Sequence, residues 1–249
     1  MKPHLSRYWL NTKEVDPHVF QQQVEAVCET YAEALGNYEM GIHTISTDEM
    51  TGIQALERLF STKPMRPGDV EKREFEYKRH GTQTLIANLE VATGELIAPT
   101  IGDRRTEVDF AQHIARTIAT DPDAEWIFVT DQLNIHMSET LVRVVATECQ
   151  LDIDLGVKGQ TGILQSMTTR RAFLTESSHR IRFVYVPKHS SWLNQIEIWF
   201  SILVRRLLKR ASFASVADLK QRLLDFIDYF NCVLAKPFKW TYTGRPLVA

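Results

Sequence analysis

The chain has 249 residues, 44% hydrophobic and 24% charged, with a formal net charge of −2. That suits a globular chain with one large core, or a domain plus an appendage. No run approaches ~18 consecutive apolar residues, so no membrane-spanning helix is expected, and the N-terminus lacks the apolar stretch of a secretory signal. Near-neutral charge leaves any contact to nucleic acid to local patches. Cys28, Cys149 and Cys232 are widely spaced with no CxxC pair, which reads as free thiols in a reducing compartment and not as a structural zinc site.

The first forty residues carry helical signals. Asp16-Pro17 marks a helix entry, and Phe20, Val24, Val27, Tyr31 and Leu35 recur at helical spacing up to Gly36. Ahead of them Tyr8-Trp9-Leu10 is an aromatic-apolar cluster on a polar arm, which either packs on the domain or touches another subunit or DNA. From Gly41 the pattern changes to strand. "IHTISTDE" alternates and ends in an acidic pair, and "GTQTLIANLEVATGELIAPTI" reads as two strands around a turn at Thr93-Gly94. "TEVDFAQHIARTIAT" predicts a helix with Val108, Phe110, Ile114 and Ile118 mostly on one face. "WIFVTD" is a short buried strand ending in Asp131, and "SETLVRVVATECQ" a helix capped by Ser138.

Residues 151–178, with Gly156, Gly159, Gly162 and the basic Lys158, Arg170 and Arg171, read as an irregular insertion or mobile loop. "RIRFVYVP" is another buried strand, followed by a helix through "SSWLNQIEIWFSILVRRLLKR" and a last one capped by Ser215. Strands alternating with helices predict an α/β fold, a mixed sheet flanked by helices on both faces. The division expected is an arm and helix over 1–40 and one domain over 41–249.

Three carboxylates stand out. Asp48 follows an apolar strand, Asp131 ends another, and Glu197 lies on the helix after a third. Ligands of open α/β sheets collect beyond the carboxyl ends of strands. Three converging carboxylates would raise one another's pKa unless a divalent cation compensates, and hard oxygen ligands without cysteine point to magnesium or manganese. Plainer readings stand beside this one: Asp48 as a turn cap, Asp131 as an Asx-turn residue, Glu197 as a charge favoured by its helix dipole. In the helix register, Trp192, Ile196, Trp199, Leu203 and Leu207 form one stripe. Leu193, Glu197, Val204 and Leu208 run beside it, which turns Glu197 inward or to an edge.

The blocks "STDEMTGIQALER", "YKRHGTQTLIANLEVATGE", "FVTDQLNIHMSETLVRVVA" and "YVPKHSSWLNQIEIWFSIL" together resemble the catalytic domain of the insertion-sequence 630 transposases, of the Tc1/mariner superfamily of DDE enzymes. The resemblance runs from about Tyr8 to Pro246. It implies a ribonuclease H-like fold and places Asp48, Asp131 and Glu197 on the catalytic, metal-binding triad. It further implies two Mg²⁺ ions, with Mn²⁺ substituting. One would activate a water and later a DNA 3′-hydroxyl, and the other would stabilise the leaving oxygen. DNA, both transposon ends and target, is the implied partner, with a homodimer on DNA, no membrane, no small-molecule cofactor, and a location in the bacterial cytosol or nucleoid.

Around this site Lys188, His189 and Asn194 are candidate contacts to DNA, Asn194 alternatively orienting Glu197. Arg205, Arg206, Lys209 and Arg210 form a basic cluster on the same helix, as either a DNA contact or a solvated face. His136, five residues past Asp131, faces the same crevice or is a structural histidine. Glu49 is not expected as a ligand, because consecutive strand residues point oppositely.

Two departures from the family pattern are visible. Gln132 stands where the family usually has Asn. The chain also starts after the point where full-length relatives carry helix-turn-helix modules, as expected of a truncated, split or decayed gene. The alternative function is therefore a catalytically impaired remnant serving as a DNA-tethering or dimerisation module.

Overall fold

A computed structural model describes residues 16–242; the Tyr8-Trp9-Leu10 arm lies outside them. Helix α1 spans Pro17–Glu39, and the Asp16 carboxylate caps it by accepting the His18 N–H at 2.8 Å. The five strands are β1 (Ile42–Arg58), β2 (Tyr77–Glu90), β3 (Leu96–Gly102), β4 (Glu125–Thr130) and β5 (Ile181–Tyr185). They form one sheet in the order β3-β2-β1-β4-β5. β1 pairs antiparallel with β2 and parallel with β4, and β5 continues parallel beyond β4. The remaining helices are α2 (Glu107–Ile118), α3 (Glu139–Glu148), α4 (Met167–Leu174), α5 (Ile196–Leu203) and α6 (Val216–Val233). Thr106, Ser138, Ser166 and Ser215 each cap a helix by accepting a backbone N–H of its first turn.

The sheet is covered on both faces, as expected. On one, α2, α3 and α4 bury Phe110, Ile114, Leu141, Val145 and Phe173 against Trp126, Phe128 and Phe183. On the other, α5 and α6 close over Ile53, Leu85 and Leu89 with Trp199, Leu203, Leu223 and Phe230, while α1 packs Val24, Val27 and Tyr31 beside Val129 and Val186. Cys28, Cys149 and Cys232 are free thiols. Among the described residues no helix is long and apolar enough to cross a membrane.

Four details depart from expectation. β1 does not end at the acidic pair but runs on to Arg58 through a bulge between Met50 and Ile53. Gly52, at φ +66°, breaks the alternation there that would have revealed the continuation. Residues 151–178 are not a featureless loop: α4 lies within them, and Leu164, Phe173 and Leu174 are core residues. Val108 is exposed, because it lies two positions from Phe110 and so on the far side of α2. Trp192 is exposed too, since residues 191–193 form a separate 3-10 turn and α5 begins only at Ile196.

Candidate active site

The parallel register of β1 and β4 creates the crevice. Its last pair is Ser46 with Val129, and continuing that register sets Asp48 level with Asp131, the residue just past β4. Neighbouring strands lie about 4.8 Å apart, so the two carboxylates are side by side. Asp48 is therefore not at a strand end, as the sequence suggested. It lies within β1, opposite Ala87 of β2, at the point where β4 stops. Strand alternation turns Ser46 and Asp48 toward α5 and Glu49 to the opposite face.

The entry to α5 is tied to β1 by a small polar network. Asn194 donates to the Thr47 carbonyl at 3.0 Å and to Asp48 Oδ2 at 3.3 Å, and it accepts from the Ser46 hydroxyl. Ser46 Oγ in turn accepts the Ile196 N–H at 2.9 Å. This anchorage sets Glu197, in the first turn of α5, over the crevice, where the helix dipole favours its charge. Asn194 itself is fully buried. Its amide is engaged by β1, and the carboxylate it contacts is that of Asp48.

The electrostatics follow from this crowding. Burial, and then the charge of Asp131, push the Asp48 carboxyl up to about 7. Burial and Asp131 also raise Glu197. Burial alone would raise Asp131 as well, but the hydrogen bond and charge of His136, the Leu133 N–H and Arg105 outweigh it and hold this carboxyl below its ordinary value. Among the described residues no three acidic, His or Cys side chains converge into a ready-made metal cage. The donor set nonetheless suits a hard divalent cation: Asp131 Oδ2 and both Glu197 oxygens accept no hydrogen bond among the described residues. A cation between the carboxylates would also offset the burial and, secondarily, the Asp131 charge that together raise the Asp48 carboxyl.

A family model described as DDE superfamily endonuclease matches residues 43–220, a stretch that includes all three carboxylates. The chain belongs to the DDE superfamily endonucleases. No curated protein matches the sequence. Among solved structures, the Mos1 mariner paired end complex with Mn is similar at 14% identity and a TM-score of 0.50, with 90% of this chain and 58% of that chain covered. The catalytic domain of Mos1 mariner transposase is similar at 13% identity and a TM-score of 0.45, with 88% of this chain and 85% of that chain covered. At these identities the likeness to the first concerns the fold, which is ribonuclease H-like. The chain spans less than two thirds of the length of that Mos1 chain.

Around the crevice, Lys188 and His189 are exposed. They line a groove of about 320 Å³ with Asp131, Gln132, Leu133 and Ser191. His189 holds a left-handed backbone, φ +60°. Arg205, Arg206, Lys209 and Arg210 are exposed but not brought to the carboxylates. They begin eight residues beyond Glu197, about 12 Å along the helix, where α5 passes into a π-helical turn over Val204–Leu208.

Three features of the site go beyond what the sequence predicts. Gln132 clips elements together: it donates to the Val186 carbonyl at 2.9 Å and to Gln23 Oε1 at 3.2 Å, and accepts from Arg171 Nη1 at 3.2 Å. Arg171, in turn, lies over the Tyr185 ring, so the supposed loop delivers a cation to Gln132, the neighbour of Asp131 in sequence. His136 is completely buried between Asp131 and Glu49. Strand alternation in β1 was the available signal for Glu49, since it sends this side chain to the face that the turn after β4 covers.

Proposed function

We propose that this chain is the catalytic domain of a DDE transposase of the insertion-sequence 630 type, cleaving DNA strands and joining them to a target with the help of divalent metal. The observation that carries the reading is the juxtaposition of Asp48 and Asp131 across neighbouring parallel strands, with Glu197 presented over them by an anchored helix. When bound, Mg²⁺ or Mn²⁺, as a pair of ions, would supply Lewis acidity at both the attacking and the leaving oxygen of an in-line displacement. Asp48, Asp131 and Glu197 are the residues that would hold the metal.

The cationic rim would take the phosphodiester. Lys188 and His189 line the groove that holds Asp131, and Arg105 is the cation whose charge acts on its carboxylate. Gln132 keeps an amide in the family's Asn position and uses its extra methylene to span three elements, which fits a working site. The partners proposed are transposon ends and target DNA, bound by a homodimer in the cytoplasm; the Mos1 structure of similar fold is a paired end complex with Mn.

The test is nicking of supercoiled plasmid by the purified chain at low salt with Mn²⁺, beside Asp131→Asn and a chelator control. Nicking that needs both the metal and Asp131 is the expected result. Equal nicking by wild type and Asp131→Asn, or none by either, would refute an autonomous active site.

A further inference from the structure

Asp131 is gripped from the side opposite Asp48. Its Oδ1 faces His136 Nδ1 at 2.7 Å and accepts the Leu133 N–H at 2.9 Å. The other ring nitrogen, Nε2, lies 3.0 Å from Glu49 Oε1, and the side chains of both His136 and Glu49 are 0% exposed. The histidine is itself pinned. Its N–H donates to the Leu133 carbonyl at 2.9 Å, its own carbonyl accepts the Tyr185 hydroxyl at 2.7 Å, and Phe110 lies over the ring at 4.2 Å. Asp131 Oδ1 thus accepts the Leu133 N–H and pairs with His136 Nδ1, which also faces the Thr130 hydroxyl at 3.0 Å and the Asp131 carbonyl at 3.2 Å, while Oδ2 takes no part in these contacts.

Fold stability alone gives little reason for this arrangement, since a buried ion pair is often no better than apolar side chains of the same volume. Phe110 shows that the pocket accepts such groups. Glu49 Oε2 is even left without a hydrogen bond, with Arg105 no nearer than 3.8 Å. A chain of hydrogen bonds that ends on a candidate metal ligand has a different use: outer partners fix the orientation of the ligating group.

We infer that Glu49 and His136 are positioning residues that lock the Asp131 carboxylate so that Oδ2 is the oxygen presented to the ion. The inference rests on the reading of Asp131 as a ligand. It explains why β1 carries two adjacent acids: Asp48 serves the crevice directly, and Glu49 serves it from the far face of the sheet, through His136.

The experiment is a Mn²⁺ binding titration by calorimetry on the full chain, comparing wild type, Asp131→Asn, His136→Gln, His136→Asn and Glu49→Gln. A Gln amide nitrogen takes the place of Nε2, keeping the contact to Glu49 while abandoning Asp131; an Asn amide nitrogen takes the place of Nδ1 and keeps Asp131. We expect His136→Gln to bind Mn²⁺ about 10–100-fold more weakly, His136→Asn to recover most of that loss, and Glu49→Gln to weaken binding by less. A role confined to core stability would not separate the two His136 variants in this way. His136→Gln binding as tightly as wild type, or both His136 variants losing affinity equally, would overturn the inference while leaving the metal site standing. Should His136→Gln not fold, Glu49→Gln with wild-type affinity would overturn it equally. Wild type that binds no Mn²⁺, or no more tightly than Asp131→Asn, would overturn the site itself and the inference with it.

Discussion

Replacing Asp48 with Asn should make the metal-free protein more stable, and the size of the gain can be worked from the crevice. Burial and the facing Asp131 raise the Asp48 carboxyl from 3.8 to about 7. Below pH ~4 the group is protonated in both folded and unfolded chains and costs nothing. Between pH 4 and 7 the unfolded chain releases this proton while the folded chain retains it, so stability falls as pH rises. Above 7 the full cost is present, about three pH units or ~4 kcal/mol. Asn removes the charge but weakens the 3.3 Å contact with Asn194, which offsets ~1 kcal/mol.

The net gain of ~3 kcal/mol at pH 8 corresponds to roughly 6–12 °C in melting temperature for a chain of this size. Thermal unfolding with a chelator at pH 8 and at pH 4 measures it: the variant should melt higher at pH 8, and the gap should close toward pH 4. Mn²⁺ should then raise the wild-type melting temperature and leave the variant unmoved. A variant that melts no higher than wild type at pH 8, or a gap that persists unchanged to pH 4, would refute the crowding argument.

Asn194→Ala should cost about 1–3 kcal/mol, since it removes the acceptor of the buried Ser46 hydroxyl and a donor to the Thr47 carbonyl; urea unfolding measures it, and an unchanged midpoint would show that α5 is held without the Asn194 amide. Gln132→Asn shortens a side chain that reaches Val186, Gln23 and Arg171, so a loss of about 1 kcal/mol is expected. A melting curve superimposable on wild type would mean that the family's usual Asn serves equally well here. Gly94→Ala meets both a left-handed backbone, φ +78°, and the Lys236 carbonyl oxygen 2.1 Å from the new Cβ. It should destabilise by at least ~2 kcal/mol, read as a lowered urea midpoint.

Much of the fold around the candidate site is legible in the sequence because its signals are local. The apolar run of β4 announces its own end at Asp131, the Thr93-Gly94 turn marks the β2–β3 hairpin, with Gly94 at φ +78°, and serine or threonine caps mark α2, α3 and α6. These depend on residues within a few positions of one another, so periodicity and cap chemistry suffice to find them. The segment holding α4 looks like loop in its glycines and polar residues; only packing of Leu164, Phe173 and Leu174 into the core shows otherwise.

What no local pattern contains is registry between distant strands and the use of both faces of the sheet. That Asp48 is level with Asp131 depends on where β1 and β4 pair. That Asn194 belongs to Asp48 depends on contacts 146 residues apart in sequence. That His136 joins Asp131 to Glu49 depends on a turn folding under the sheet to meet the far side of β1. Residue types and spacings named the acids. Which oxygen of each is bonded, buried or open is a property of groups brought together by the core, and it exists only once the sheet has closed.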